Sequence, residues 1–148
     1  MVTIKKILAC LTAAAVIGLT AFLAKDLARP VTLTIPALGI EVGCEQVLVP
    51  TSEHLQEVID KPDTAAWYDR YILDHAGENF DGLWNIRIGD AVVLGERRYR
   101  CSFVTTGWSE CGIQAKEGQL PAADLYLCTC KPYGEEYEIY IVGVDKEE

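Results

Sequence analysis

The chain carries the stretch DLYLCTCKPYG at positions 124–134, and this stretch indicates how its folded part is built. Its residues alternate as they do in a buried β-strand, so that the odd-numbered residues 125–129 face one way and the even-numbered residues 126–130 the other. The Pro-x-Gly sequence that follows predicts a turn. The pattern therefore places the thiol of Cys130 at the tip of a strand, where a nucleophile can be held rigidly.

The rest of the sequence predicts a mainly β protein with little helix. Apolar and β-branched runs bounded by turn residues indicate further strands at 31–35, 44–49, 67–73, 91–94, 99–105 and 137–144. Gly95-Glu96 predicts the turn of a hairpin, and Ser52 predicts the N-cap of a short helix that reaches Ile59. About seven short strands of this kind suggest a small β-barrel or a sandwich.

Length and charge narrow the class of protein. The chain has 148 residues, which argues for one domain. Its net charge is −9, and from Arg29 onward 10 Lys and Arg stand against 21 Asp and Glu. An acidic surface argues against nucleic acid as a partner, because phosphate binding needs a basic face. The simplest interpretation of the acidity is solubility outside the cell.

The N-terminus differs from the rest of the chain. Lys5 and Lys6 precede an uncharged run of 18 residues from Ile7 to Ala24, which is about the shortest helix that spans a bilayer. A cleaved signal peptide is the alternative, although Phe22 is bulky for a position three residues before a cut. We expect residues 1–28 to form a hydrophobic helix that anchors the chain in the cell membrane by a single pass. The paired lysines place residues 29–148 outside the cell, and a cleaved segment would leave this domain secreted.

Three segments resemble motifs of one known family. The sequence Tyr126–Cys130 resembles the Thr-Leu-x-Thr-Cys signature of sortases, the cysteine transpeptidases of Gram-positive surfaces, except at Tyr126. The segment 33–40 is similar to the opening Ile-Pro-x-Leu strand of that family. A third group follows the family's pattern of His, Phe, Leu and Gly-Asp, and it consists of His75, Phe80, Leu83, Gly89 and Asp90. The matches occur in the family's order and extend over most of residues 33–144.

The resemblance implies a fold and an activity. It implies that residues 29–148 form a closed or partly open β-barrel of about seven to eight strands. Cys130 would be the nucleophile and His75 its acid and base partner. The partners would be an exported protein with a C-terminal sorting motif and an amine acceptor, either a cell-wall precursor or a pilin lysine. This chemistry needs no metal or other cofactor, and we expect none.

One departure from the family leaves two functions open. Sortases carry an Arg on the strand after the catalytic Cys, whereas no Arg follows Arg100 here and Glu138 stands about where it is expected. An electrostatic group of this kind is worth roughly 10²–10³ in rate. The chain is therefore either an active transpeptidase or a catalytically weak or inactive module that binds or assembles at the cell surface. Arg98 or Arg100 is the candidate for supplying the missing cation.

The remaining cysteines and Asp74 have structural interpretations. Cys128 is expected to fill space in its strand, and Cys44 to lie in the core. Cys101 and Cys111 are candidates for a disulfide, since the predicted location permits one. Asp74, where sortases commonly have Gly, would either pair with the imidazole of His75 or lie as a solvated residue in a turn.

Overall fold

Strands dominate the part of the chain that the computed structural model describes, which is residues 30–75, 77–106, 120–133 and 136–148. There are eight strands: β1 (Val31–Ile35), β2 (Ile40–Gln46), β3 (Thr64–Tyr68), β4 (Tyr71–Leu73), β5 (Ala91–Leu94), β6 (Arg97–Thr106), β7 (Leu125–Tyr133) and β8 (Glu136–Lys146). One α-helix, α1 (Ser52–Ile59), lies between β2 and β3. Two 3₁₀ turns, Pro36–Leu38 and Leu83–Asn85, complete the regular structure of these residues.

The eight strands form a closed barrel in the order β1-β2-β3-β4-β7-β8-β6-β5. Neighbouring strands are antiparallel except for the pairs β2–β3 and β4–β7, which are parallel. The prediction of a small, mainly β barrel is therefore confirmed, in its closed form. The predicted hydrophobic helix within residues 1–28 lies outside the described residues. Among those that are described, no helix combines the length and the apolar composition that crossing a membrane requires.

The barrel interior is filled by one side of each strand. Within the described ranges its core comprises 19 buried residues, and the largest fully buried side chains among them are Phe80, Leu33, Ile35, Ile72, Leu83 and Leu127. Phe80 and Leu83 come from the connection between β4 and β5, which passes over the barrel and closes this core. Such an interior stabilises the fold because each large apolar side chain contributes about 1.5–3 kcal/mol when it is fully buried.

A second apolar group, the outer-face cluster, lies on the outside of the barrel across β4, β6, β7 and β8. Its buried members are Tyr71, Ala123, Tyr126, Cys128 and Ile141, with Leu73, Phe103, Leu120 and Ile139 packed against them. The rings of Tyr71 and Tyr126 stack with their centroids 5.1 Å apart. Strand β7 therefore buries both of its faces, one in the interior and one in this cluster, as its predicted alternation requires.

Helix α1 packs on the outside of β3. Val58 is buried against Val47 and Ala66, with Leu55 and Ile59 at the edge of the contact. The predicted bounds of the helix are confirmed, but its N-cap is Thr51 instead of Ser52, because the Thr51 hydroxyl accepts a hydrogen bond from the His54 N–H at 3.1 Å. The Asp60 N–H bonds back to the Gln56 carbonyl at 3.0 Å, and this places the end of α1 at Asp60.

Three predicted strands differ from the observed ones. Residues 67–73 do not form one strand, because the turn at Asp69, with φ of 49°, reverses the chain between β3 and β4. Strand β2 begins at Ile40, earlier than the predicted 44, since it pairs with β1 from that residue onward. Strand β7 continues through Pro132, where a break was predicted. Beyond Cys128 the described strand pairing of β7 is with β8 alone, and a proline is tolerated where one edge of a strand is unpaired.

The close approach of β6 and β8 at Gly143 gives a stability test. A Cβ on Gly143 would overlap the ring of Phe103, which lies beside a β-bulge in β6. We expect Gly143→Ala to lower the free energy of unfolding by about 1–3 kcal/mol, as overpacking does, when it is measured by denaturant titration. Removing a glycine without such overlap usually stabilises a protein, so the sign of the change is informative.

Phe103→Leu is the matched control for this overlap. In the Phe103→Leu background, Gly143→Ala should cost less than it does beside the intact ring, because the shorter side chain makes room. Equal costs in the two backgrounds would show that the Phe103 ring is not what constrains this position.

Candidate functional site

The two residues predicted to carry the chemistry belong to adjacent parallel segments, because Cys130 lies in β7 and His75 follows the end of β4 by two residues. Strands β4 and β7 pair in the register Tyr71↔Tyr126, Ile72↔Leu127 and Leu73↔Cys128, an offset of 55 positions. Pairing continues one residue past β4, where the Asp74 N–H donates to the Cys128 carbonyl at 3.2 Å. His75 and Cys130 have the same offset of 55, and they stand one residue beyond the last hydrogen bond of this register. Their catalytic roles remain predictions.

Cys130 lies on the face of β7 that carries the outer-face cluster. Alternation along the strand puts it in line with Tyr126 and Cys128, and its partner across β8 is Ile139. The thiol is half-buried, whereas Cys44, Cys101 and Cys128 are buried. Burial raises the pKa of the Cys130 thiol above its ordinary value. The side chain across from Cys130 is therefore apolar. An apolar neighbour does not stabilise the negative charge of a thiolate.

Glu138 does not occupy the position across from Cys130. It pairs with Lys131, one residue away, and strand alternation turns it to the opposite face from Ile139. The register therefore does not place this carboxylate opposite the sulfur. What the described part of β8 presents to Cys130 is an aliphatic side chain.

The proposal that Arg98 or Arg100 supplies the missing cation is also wrong. Arg98 Nε donates to Glu147 Oε2 at 3.1 Å, and Arg100 forms an ion pair with the same carboxylate and bonds to the Gly89 carbonyl. Arg100 pairs with Asp145 on β8, six positions from the residue that faces Cys130. Six residues of strand span roughly 20 Å. Both guanidinium groups therefore lie at the far end of the sheet from the thiol.

His75 contacts helix α1 with its Nε2 atom. That atom lies 3.1 Å from Asp60 Oδ1 and 2.9 Å from Gln56 Nε2, while Gln56 Nε2 donates to the same Asp60 oxygen at 2.8 Å. Within the described residues, neither ring nitrogen is hydrogen-bonded to Cys130 Sγ. Unliganded catalytic pairs are often loose, so this geometry agrees with a catalytic role without establishing one.

Asp74 is a buried residue and not a solvated one. Its Oδ1 accepts the His75 N–H at 2.7 Å, so it anchors the backbone of His75 instead of pairing with the ring. Burial raises the pKa of its carboxyl group, and contacts with Asn79 and the His75 N–H oppose that rise. Asp74 Oδ2 and Thr129 Oγ1 are both buried without a well-aligned partner in the described structure. Asp74 and Thr129 have the same offset of 55 as the paired residues of β4 and β7, so they are neighbours across the two strands. Each of them lies one residue before a candidate catalytic residue.

The other cysteines behave as packing residues. Burial raises the pKa of Cys44 to about 12 and that of Cys101 to about 11, and it raises the pKa of Cys128 as well. The Cys101 thiol contacts the Phe103 carbonyl, and the predicted disulfide to Cys111 involves a residue outside the described ranges. No three His, Cys, Asp or Glu side chains within the described ranges are grouped as metal ligands would be.

Sequence patterns did not indicate the groups that contact His75. Asp60 and Gln56 belong to a helix that is separated from His75 by the whole of β3 and β4. No local motif links them to the histidine. The only sequence signal was the amphipathic helix itself, whose packing on β3 brings its C-terminal end to the end of β4.

Known structures share this fold. Streptococcus pneumoniae sortase C is 18% identical, with a TM-score of 0.58 over 82% of this chain and 70% of that one. Listeria monocytogenes sortase A is 14% identical, with a TM-score of 0.58 over 82% and 88%. A sortase D5 transpeptidase from Clostridium perfringens is 11% identical, with a TM-score of 0.56 over 81% and 79%. No protein-family model and no curated protein matches the sequence. The chain thus has the sortase fold.

Differences in burial predict which thiol reacts first. We expect iodoacetamide to modify Cys130 before Cys44, Cys101 and Cys128, because it alone among these four is not buried. The thiolate is the reactive form, and the pKa of Cys130 is raised, so labelling should accelerate as the pH rises from 7 to 9. Mass-spectrometric peptide mapping over time measures both effects. In Cys130→Ser the fast-labelled peptide should vanish, and earlier labelling of Cys128 or Cys44 would contradict the prediction.

The ion pairs at the far end of β8 make a second prediction. We expect Arg98→Ala and Arg100→Ala to leave the rate of Cys130 labelling unchanged, since both guanidinium groups are engaged by Glu147. The same time course of alkylation serves as the measurement. A slower rate in either variant would mean that one of these arginines acts on the thiol after all.

Proposed function

We propose that this chain is a cysteine transpeptidase that acts on exported proteins at the cell surface. The observation that carries the proposal is the β4–β7 register, which gives His75 and Cys130 a common offset within a sortase fold. An imidazole and a thiol on neighbouring strand ends are the arrangement that covalent catalysis by cysteine requires.

The proposed reaction has two steps. The Cys130 thiolate attacks the carbonyl carbon of a Thr in a C-terminal sorting motif, and the peptide bond breaks as the leaving amine takes a proton from protonated His75. The product is a thioester between Cys130 and the Thr. An acceptor amine then attacks the thioester, loses a proton to His75 and releases the thiolate. Each step uses the ring once as an acid or a base, so the protein returns to its starting state.

The proposed partners follow from the reaction. The acyl donor is an exported protein, and the acceptor is an amine of a cell-wall precursor or a pilin lysine. Support for this class comes from the Streptococcus pneumoniae sortase C of the same fold, which is described as having pilin substrates. Anchoring of residues 1–28 in the membrane would hold the domain beside such substrates.

A specific observation also favours a second function. The side chain across from Cys130 is Ile139, and burial raises the pKa of the thiol. A site without a charged donor for the developing oxyanion is slow, typically by about 10²–10³ per missing donor. A sortase-fold module that binds its partners at the cell surface without efficient turnover is the alternative that this geometry supports.

Trapping of the thioester distinguishes the two functions. We expect the full-length chain to form a covalent adduct with members of a peptide library that has a central Thr, and added hydroxylamine should release the acyl group. Intact-protein mass spectrometry detects the adduct. Cys130→Ala should abolish it, and His75→Ala should slow its formation by about 10²–10⁴.

The matched control for His75 is His54→Ala, since His54 is exposed near the start of α1, while the contacts to His75 come from Gln56 and Asp60 near its end. That variant should form the adduct at the wild-type rate. Peptide binding without any adduct, unchanged in Cys130→Ala, would support the binding module and reject the transpeptidase.

A further inference from the structure

A polar clamp joins helix α1 to the candidate histidine. Asp60 Oδ1, Gln56 Nε2 and His75 Nε2 lie within 2.8–3.1 Å of one another. Gln56 lies in the last turn of α1, and Asp60 is the C-cap that follows it, with its N–H bonded to the Gln56 carbonyl. The helix is held to β3 by Val58, so the clamp has a fixed position on the barrel.

We propose that Asp60 is a positioning residue that holds a proton on Nε2 of His75 and leaves Nδ1 as the atom that exchanges protons during the reaction. This inference rests on the proposed transpeptidase function. A carboxylate only accepts hydrogen bonds, so its partner nitrogen must carry hydrogen. In a neutral imidazole the other nitrogen is then free to accept a proton.

The Gln56 amide permits two proton arrangements, and charge decides between them. In one, Gln56 and His75 both donate to the Asp60 carboxylate, which gives two charge-assisted hydrogen bonds. In the other, Gln56 donates to His75 Nε2, and the carboxylate then faces the lone pair of an unprotonated nitrogen at 3.1 Å. Charge-assisted bonds are about twice as strong as neutral ones, so the first arrangement is favoured. It is also the one that persists when the ring is doubly protonated.

The strand order indicates toward which strand Nδ1 of His75 faces. Strand β4 lies between β3, which carries α1, and β7, which carries Cys130. A ring tethered through Nε2 toward α1 has Nδ1 as the nitrogen available on the β7 side. Asp60 thus selects both the tautomer and the orientation of the ring, while the ring itself would touch the substrate.

The expected effect on rate is modest because the clamp is exposed. The side chains of His75 and Asp60 are 39% and 59% accessible, and exposed ion pairs contribute little. We expect Asp60→Asn to lower kcat by roughly two- to fivefold with KM unchanged, since a positioning residue acts through the ring and not on the substrate. Glu57→Gln makes the same charge change on the same helix, whose described contacts with the ring come from Gln56 and its C-cap Asp60, and it should leave both constants unchanged.

Nitrogen NMR of the two histidines tests the clamp without relying on activity. The full-length ¹⁵N-labelled chain in detergent micelles has only His54 and His75, so the exposed His54 ring is an internal reference, assigned with His54→Gln. We expect neutral His75 to carry less proton on Nδ1 than His54 does, and Asp60→Asn to shrink that difference while Glu57→Gln preserves it. A proton mainly on Nδ1 in the wild type, or a ratio unchanged in Asp60→Asn, would overturn the inference.

The two readouts separate failure of the inference from failure of the proposed function. If the thioester forms but the tautomer of His75 is the same in the wild type and in Asp60→Asn, the transpeptidase function is supported and the positioning role of Asp60 is rejected. If Asp60→Asn changes the tautomer of His75 but no thioester forms with any library peptide, the contact between Asp60 and the ring is supported as a structural feature. The transpeptidase reaction is then rejected.

Discussion

Parallel pairing of β4 with β7 is the constraint on which the candidate site depends. The two strands pair with an offset of 55 positions. Asp74 and Thr129 have this offset, and so do His75 and Cys130. A slip of one residue would exchange the faces of the strand and send Cys130 into the interior. The register is held because β7 is packed on both sides, with Leu127 in the barrel and Tyr126 and Cys128 in the outer-face cluster.

The site is asymmetric in its electrostatics. On the β3 side, the histidine has polar partners from α1, while on the β8 side the cysteine faces an aliphatic residue. Arg98 and Arg100 of β6 are held by Glu147 at the opposite end of the barrel. An efficient thioester enzyme on this frame needs a donor for its oxyanion, and the described residue of β8 that faces Cys130 does not supply a charged one. This requirement is what separates an efficient transpeptidase from a binding module of the same fold.

Local sequence patterns predicted the elements whose character depends on near neighbours. The alternation of β7, the helix from Ser52 to Ile59 and the hairpin at Gly95, where φ is 59°, all follow from residues within a few positions. Predictions failed where a partner elsewhere in the chain intervened. A turn at Asp69 splits residues 67–73, and pairing with β1 extends β2 back to Ile40. Pairing with β8 carries β7 past Pro132.

By itself the sequence determined that the chain is mainly β, that Cys130 stands on the same strand face as Cys128, and that His75 follows a strand. These properties depend on the period of two along a strand, which neighbouring residues specify. Only the tertiary structure decided which strand lies beside β7, that Asp60 reaches His75, and that Arg98 and Arg100 do not reach Cys130. Those contacts join segments tens of residues apart, and they depend on register and barrel closure, which no local pattern contains.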